Sequence, residues 1–217
     1  MEWHDSPACR RAAGREEVAG PTLAFEGSLI MSLESDVADI LRKDPSDRIN
    51  FKVDNIAVNK KLMETVAAAI EAGDIAVETS GVSGGLGAAY SSYVSRRWAA
   101  GEKKLIGKIS LDGPKSLTTH VGRAAVFHES VHALMDVQKN QITMHNDEVV
   151  AYLADALYMK ANKTNATTNS EEDKKILDAA RALVDQYKLL EKPGVTLTWQ
   201  QCSSLRDAIK ANSKYGG

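Results

Sequence analysis

Apolar residues recur along this chain at two different spacings, and each change of spacing marks a new element. Leu33, Val37, Ile40 and Leu41 keep helical spacing behind Ser32 and ahead of the breaker Asp44-Pro45-Ser46-Asp47. A short amphipathic helix is predicted over 32–43. Ile49, Phe51 and Val53 then alternate with Asn50, Lys52 and Asp54, which is the pattern of a half-buried strand. Leu62, Val66 and Ile70 return to one helical row over 59–72, closed by Gly73. Ile75-Ala76-Val77 predicts a second strand. The clearest strand is 104–111, with Leu105, Ile109 and Leu111 on one face and Lys108 and Ser110 on the other. Asp112-Gly113-Pro114 stops it.

Two long helical patterns follow, over 126–139 and 146–159, joined by the polar Lys139-Asn140-Gln141. Residues 116–119 offer caps ahead of the first. The run 160–170 carries no apolar residue beyond alanine and predicts a loop. Glu171-Glu172-Asp173 opens a further helix with its acids suited to the N-terminal dipole. Ile176, Leu177, Leu183 and Val184 are its apolar positions, Pro193-Gly194 ends it, and 199–211 predicts a last helix. The expected fold class is α+β: a small, mainly antiparallel sheet, a motif-bearing helix beneath it, and a mostly helical C-terminal half.

Residues 1–30 show neither period. Arg10, Arg11 and Arg15 mix there with Glu16 and Glu17 among Ala, Gly and Pro. They are expected to be a disordered extension, with Met31 a natural start for one domain over 31–217 whose C-terminal helical pair begins near 171. At 217 residues and 43% hydrophobic content the chain can bury one full core. A net charge of -2 leaves no electrostatic footprint for nucleic acid or an anionic membrane. Two cysteines, Cys9 and Cys202, do not make a disulfide framework. With no membrane-length apolar run and no signal-peptide pattern, a cytoplasmic protein is expected. The glycines of 81–87 lack the Lys-Ser/Thr ending of a phosphate loop, so they read as a flexible turn or cleft-rim loop.

The chemistry concentrates in His128-Glu129-Ser130-Val131-His132, set among apolar helix formers. Residues four apart share a helix face, so both imidazoles can address one ion. Neutral imidazole suits zinc, and a catalytic zinc keeps one position open for water. Glu129 projects beside that face, where it can take a proton from the water. A third ligand is needed. If the two helices form an antiparallel hairpin bent near Asn140, positions 132 and 148 are equidistant from the bend. Glu148 then falls opposite His132 and Tyr152 opposite His128, with the small Ala151 allowing close approach. His145, one turn nearer the bend, competes with Glu148 as third ligand. Tyr152 could donate to a tetrahedral oxyanion or simply pack in the core. Asp136 and Asp155 could orient an imidazole through its second nitrogen. His120 could reach substrate or sit on the surface as a cap.

The His128–His132 motif followed by Glu148-Val149-Val150-Ala151-Tyr152 resembles the gluzincin branch of the zincin metallopeptidases. Those pair HExxH on one helix with a ligand glutamate on the next, often in an E-x-x-A context. The resemblance spans roughly 103–159, and its short spacing is similar to that of minimal gluzincin-like proteins. It implies a zincin-like fold, His128, His132 and Glu148 as Zn2+ ligands, Glu129 as general base, and hydrolysis of a peptide or protein substrate. It also implies strand 104–111 as the platform for substrate backbone. The thermolysin pattern has Asn before the ligand glutamate and Ser-Asp after it; here Asp147, Ala151 and Tyr152 stand in those places. A catalytically inactive zincin-like scaffold that binds metal or a partner is the alternative.

Overall fold

The computed structural model describes residues 32–43, 45–79, 87–93, 104–113, 115–165, 168 and 170–215. All of them fall within the unit Met31–Gly217. The expected N-terminal extension and nearly all of the glycine-rich turn lie outside the described residues.

Helix α1 (Leu33–Arg42) starts where Ser32 accepts a hydrogen bond from the Ser35 amide, and it buries Val37, Ala38 and Leu41. Helix α2 (Lys60–Glu71) starts on Asn59, whose side chain accepts from the Leu62 amide, and it buries Met63, Val66, Ala67 and Ile70. The two pack together, and Arg42 pairs with Glu71 across them. Between them the predicted strand is half of a hairpin, β1 (Phe51–Val53) with β2 (Ile56–Val58). Asp54 turns it with φ 49°, a left-handed conformation that Asp tolerates better than most residues.

Three more strands are β3 (Ile75–Thr79), β4 (Ala88–Ser92) and β5 (Gly107–Leu111), and β6 (Val195–Leu197) comes near the chain's end. The described strands form two three-stranded sheets, ordered β2-β1-β6 and β3-β5-β4. Each sheet holds one antiparallel and one parallel pair: β1 runs parallel to β6, and β3 parallel to β5. The sheets are therefore mixed, which corrects the expectation of a mainly antiparallel sheet. Alternation of apolar residues says which face of a strand is buried but not which strand lies beside it. Strand β6 follows Pro193-Gly194 and was absent from the sequence-based elements.

Helix α3 (Lys115–Thr118) leads into α4 (His120–Gln138). Thr119 caps α4 by accepting from the Gly122 amide at 3.0 Å, so the helix begins six residues before its predicted start. Lys139 ends it in a left-handed conformation, φ 55°. Helix α5 (Met144–Ala161) is capped by Thr143. Both helices bury residues around much of their circumference, including Val126, Phe127, Val131 and Leu134 on α4 and Val149, Val150, Leu153 and Leu157 on α5. That makes them the centre of the core rather than a cover for it. Helices α6 (Glu171–Gln186) and α7 (Ser203–Ala211) pack on each other and on α5. Among the described residues no helix is long and apolar enough to cross a membrane. The fold is α+β.

Candidate metal centre

The α4–α5 hairpin, joined by residues 139–143, puts three side chains face to face. His128 and His132, one turn apart on α4, have ring centroids 5.1 Å apart. Glu148, in the second turn of α5, reaches between them. Its Oε2 is 3.4 Å from His128 Nε2 and its Oε1 is 3.6 Å from His132 Nε2. One ligand atom from each residue lies within 4.8 Å of the others, so the group could hold a metal ion. Glu148 Oε2 is buried and has no hydrogen-bond partner. A buried carboxylate oxygen left in that state is costly. Two imidazole nitrogens and one carboxylate converging on a shared space form a donor set that suits a divalent cation.

The surrounding charge favours the same occupant. Burial alone would push the His128 imidazole below its ordinary pKa. The Glu148, Glu129 and Asp155 carboxylates outweigh burial and raise it to about 9. Burial also opposes protonation of His132, but Asp147 and Glu148 raise its pKa. Glu148 in turn stays below its ordinary pKa despite burial, because His128 and His132 stabilise its charged form. The acids around the two imidazoles thus favour positive charge at this site, which a metal cation would also supply.

Glu129 stands beside this group without joining it. Its Oε2 accepts a hydrogen bond from the backbone N–H of Tyr90 at 2.8 Å. Burial pushes its pKa up against the opposing pull of His128 and His132. The strand beside Glu129 is β4. Strand β5 lies between β3 and β4 with both sides paired, so it cannot serve as the open edge expected for 104–111. On β4, Tyr93 N–H donates to Ile106 O and Gly87 O accepts from Asp112 N–H. Hydrogen-bonded positions alternate in an antiparallel pair. Ala88, Tyr90 and Ser92 therefore turn their backbone groups away from β5, and the Tyr90 amide meets Glu129.

The other sequence candidates take distinct places. The Tyr152 ring stands edge-on to His128, centroids 4.7 Å apart, and its hydroxyl is 2.9 Å from that of Tyr215. His145 is outside the cluster, with Nε2 3.2 Å from the Tyr215 carbonyl oxygen. Asp136 accepts from the Tyr90 hydroxyl at 2.8 Å instead of orienting an imidazole. The Tyr90 ring lies across Gly107, where a Cβ would come within 2.1 Å of the Tyr90 hydroxyl. Asp155 acts on His128 through its charge. His120 is exposed at the start of α4.

Sequence reasoning missed three groups. Asp147 Oδ2 is 3.0 Å from His132 Nδ1, which leaves Nε2 facing Glu148. An acid beside Glu148 on the bend side was the available signal. Tyr90 carried only its place in a strand-like run, and Tyr215 carried no signal at all. No protein-family model, no curated protein and no solved structure matches this chain.

Proposed function

We propose that this chain is a zinc-dependent metallopeptidase with a zincin-like fold of the gluzincin type, acting in the cytoplasm on peptide or protein substrates. The observation that carries the proposal is the place of Glu129. It is a half-buried carboxyl with a raised pKa, next to the His128–His132–Glu148 group and not spent in holding it. Zinc held by those three residues would supply Lewis acidity, making water a better nucleophile and polarising the scissile carbonyl.

The chain's own groups do the rest. Glu129 takes the proton of the attacking water and delivers it to the leaving amine. Its raised pKa brings it closer to the operating pH, where a general base and acid works best. The Tyr90 amide holds Oε2 and keeps the carboxylate aimed. An extended peptide can pair with the outward Tyr90 carbonyl and the outward backbone groups of Ser92, the usual way a strand is added to an open edge. Tyr152, packed on His128, is assigned as donor to the tetrahedral oxyanion.

A zinc-binding scaffold without turnover is the second reading. The Tyr90–Glu129 hydrogen bond favours it, because it engages the base in the resting protein. Glu129→Gln decides between them. The variant keeps size and polarity but cannot accept the proton. With a degenerate peptide library and mass spectrometry, we expect cleavage by native protein and at least an approximately 10²-fold loss in the variant, at unchanged zinc content. Equal cleavage by both would assign the activity to another base or a contaminant. No cleavage by either, with zinc bound, would point to the scaffold or to a very narrow substrate.

A further inference from the structure

Beyond α7 the chain folds back on the first turn of α6. Asn212 is buried, and its Nδ2 donates to Asp173 Oδ1 at 2.9 Å. The Ser213 amide and hydroxyl both donate to Glu172 Oε2, at 3.1 and 2.8 Å. Lys214 Nζ reaches Asp173 Oδ2 at 2.7 Å. Inside the turn, the Lys214 amide donates to Asn212 Oδ1 and the Tyr215 amide to the Asn212 carbonyl. Ordering a chain end costs conformational entropy, and exposed ion pairs of this sort return little stability. Their effect is geometric: they fix where Tyr215 goes.

Tyr215 is carried to the face of α5 that holds Glu148. His145, Glu148 and Tyr152 lie three and four positions apart, so they line one side of that helix. Tyr215 touches both ends of this row, with its carbonyl at His145 and its hydroxyl at Tyr152. Glu148 lies between those two contacts along the same helix face. Tyr152 in turn packs on His128. One phenol therefore bears on a member of the triad, His128, from outside it.

We propose that Tyr215 is a positioning residue of the metal centre: seated by the C-terminal clasp, its hydroxyl fixes Tyr152, and Tyr152 in turn holds the His128 ring. This rests on the His128–His132–Glu148 group being a metal site. Partners of this kind, which orient ligands without touching the ion, typically contribute 10- to 100-fold to metal affinity.

The test is Tyr215→Phe, which keeps the ring and removes the hydroxyl, with Lys214→Ala as a second variant that loosens the clasp and leaves the hydroxyl in place. Zinc affinity is measured by competition with a chromophoric chelator. The ligand field is read from the visible bands of Co2+-loaded protein, and the melting temperature of metal-free protein is recorded alongside. We expect Tyr215→Phe to lower zinc affinity about 10- to 100-fold and to shift the Co2+ bands. Metal-free melting should stay as in native protein, and Lys214→Ala should show a smaller loss in the same direction. Native affinity and native Co2+ bands in Tyr215→Phe would overturn the proposal while leaving the metal site standing. A loss of affinity matched by a fall in metal-free melting would also overturn it, by making Tyr215 a packing residue. Failure of the native chain to take up zinc would overturn the metal site and this role together.

Discussion

Asp147 and Glu148 are neighbours in sequence but serve different nitrogens. Successive helix residues point about 100° apart, so Glu148 looks between the two imidazoles while Asp147 reaches the outer nitrogen of His132. The same geometry separates His145 from Glu148: His145 meets the Tyr215 carbonyl and not the cluster. This leads to the first expectation at residue scale. Metal analysis should find about one zinc per native chain, as a single three-ligand site requires. His128→Ala, His132→Ala and Glu148→Ala should each strip most of it. His145→Ala should retain it, and a greater loss there than in Glu148→Ala would remove Glu148 as third ligand.

At the scale of elements, the site depends on how α4 is launched. Gly122 lies so close to α3 that a Cβ would stand 2.5 Å from the Ser116 carbonyl oxygen and 2.6 Å from its Cα. Those are backbone atoms and cannot swing aside. Gly122→Ala should therefore cost about 1–3 kcal/mol, the usual range for overpacking. Thr119→Ala should cost about 1 kcal/mol by removing the cap. The two should not add fully, because the capping bond ends on the Gly122 amide. Chemical denaturation of the single and double variants checks both magnitudes and the coupling. The hairpin beyond this start follows from local rules, namely two apolar helical runs and a short polar bend. That is why counting outward from Asn140 placed Glu148 and Tyr152 opposite His132 and His128.

At the scale of the whole molecule, the end of the chain closes onto its middle. Strand β6 joins β1, and the turn 212–215 is fastened to α6. Asp173 reports on that closure. Burial pushes its carboxyl up, but Lys214, Asn212 and Ser170 together hold it below its ordinary range. A carboxyl with a depressed folded pKa contributes stability that is fully present above its unfolded value, about 3.9 for Asp. That contribution is lost as pH falls through the folded value. Native protein should therefore lose this increment of stability below about pH 4, and Asp173→Asn should lack it at every pH. Unfolding free energies measured from neutral to acid pH should show the difference between the two proteins shrinking as pH falls. A constant difference would place the cause outside the titration of Asp173.

The amino-acid sequence by itself determined the α+β class, the motif helix and the pairing of Glu148 with His132. All of these follow from spacing within a helix or across one short bend. The tertiary structure alone decided the rest. It set β3 parallel to β5 and β1 parallel to β6, and it made β4 the strand that borders Glu129. It brought Tyr90 to Glu129 and Asp136 across 39 and 46 positions, and Tyr215 to Tyr152 and His145 across 63 and 70. Periodicity records which side of an element is buried. Which buried sides meet is settled only when every element covers its apolar face at once.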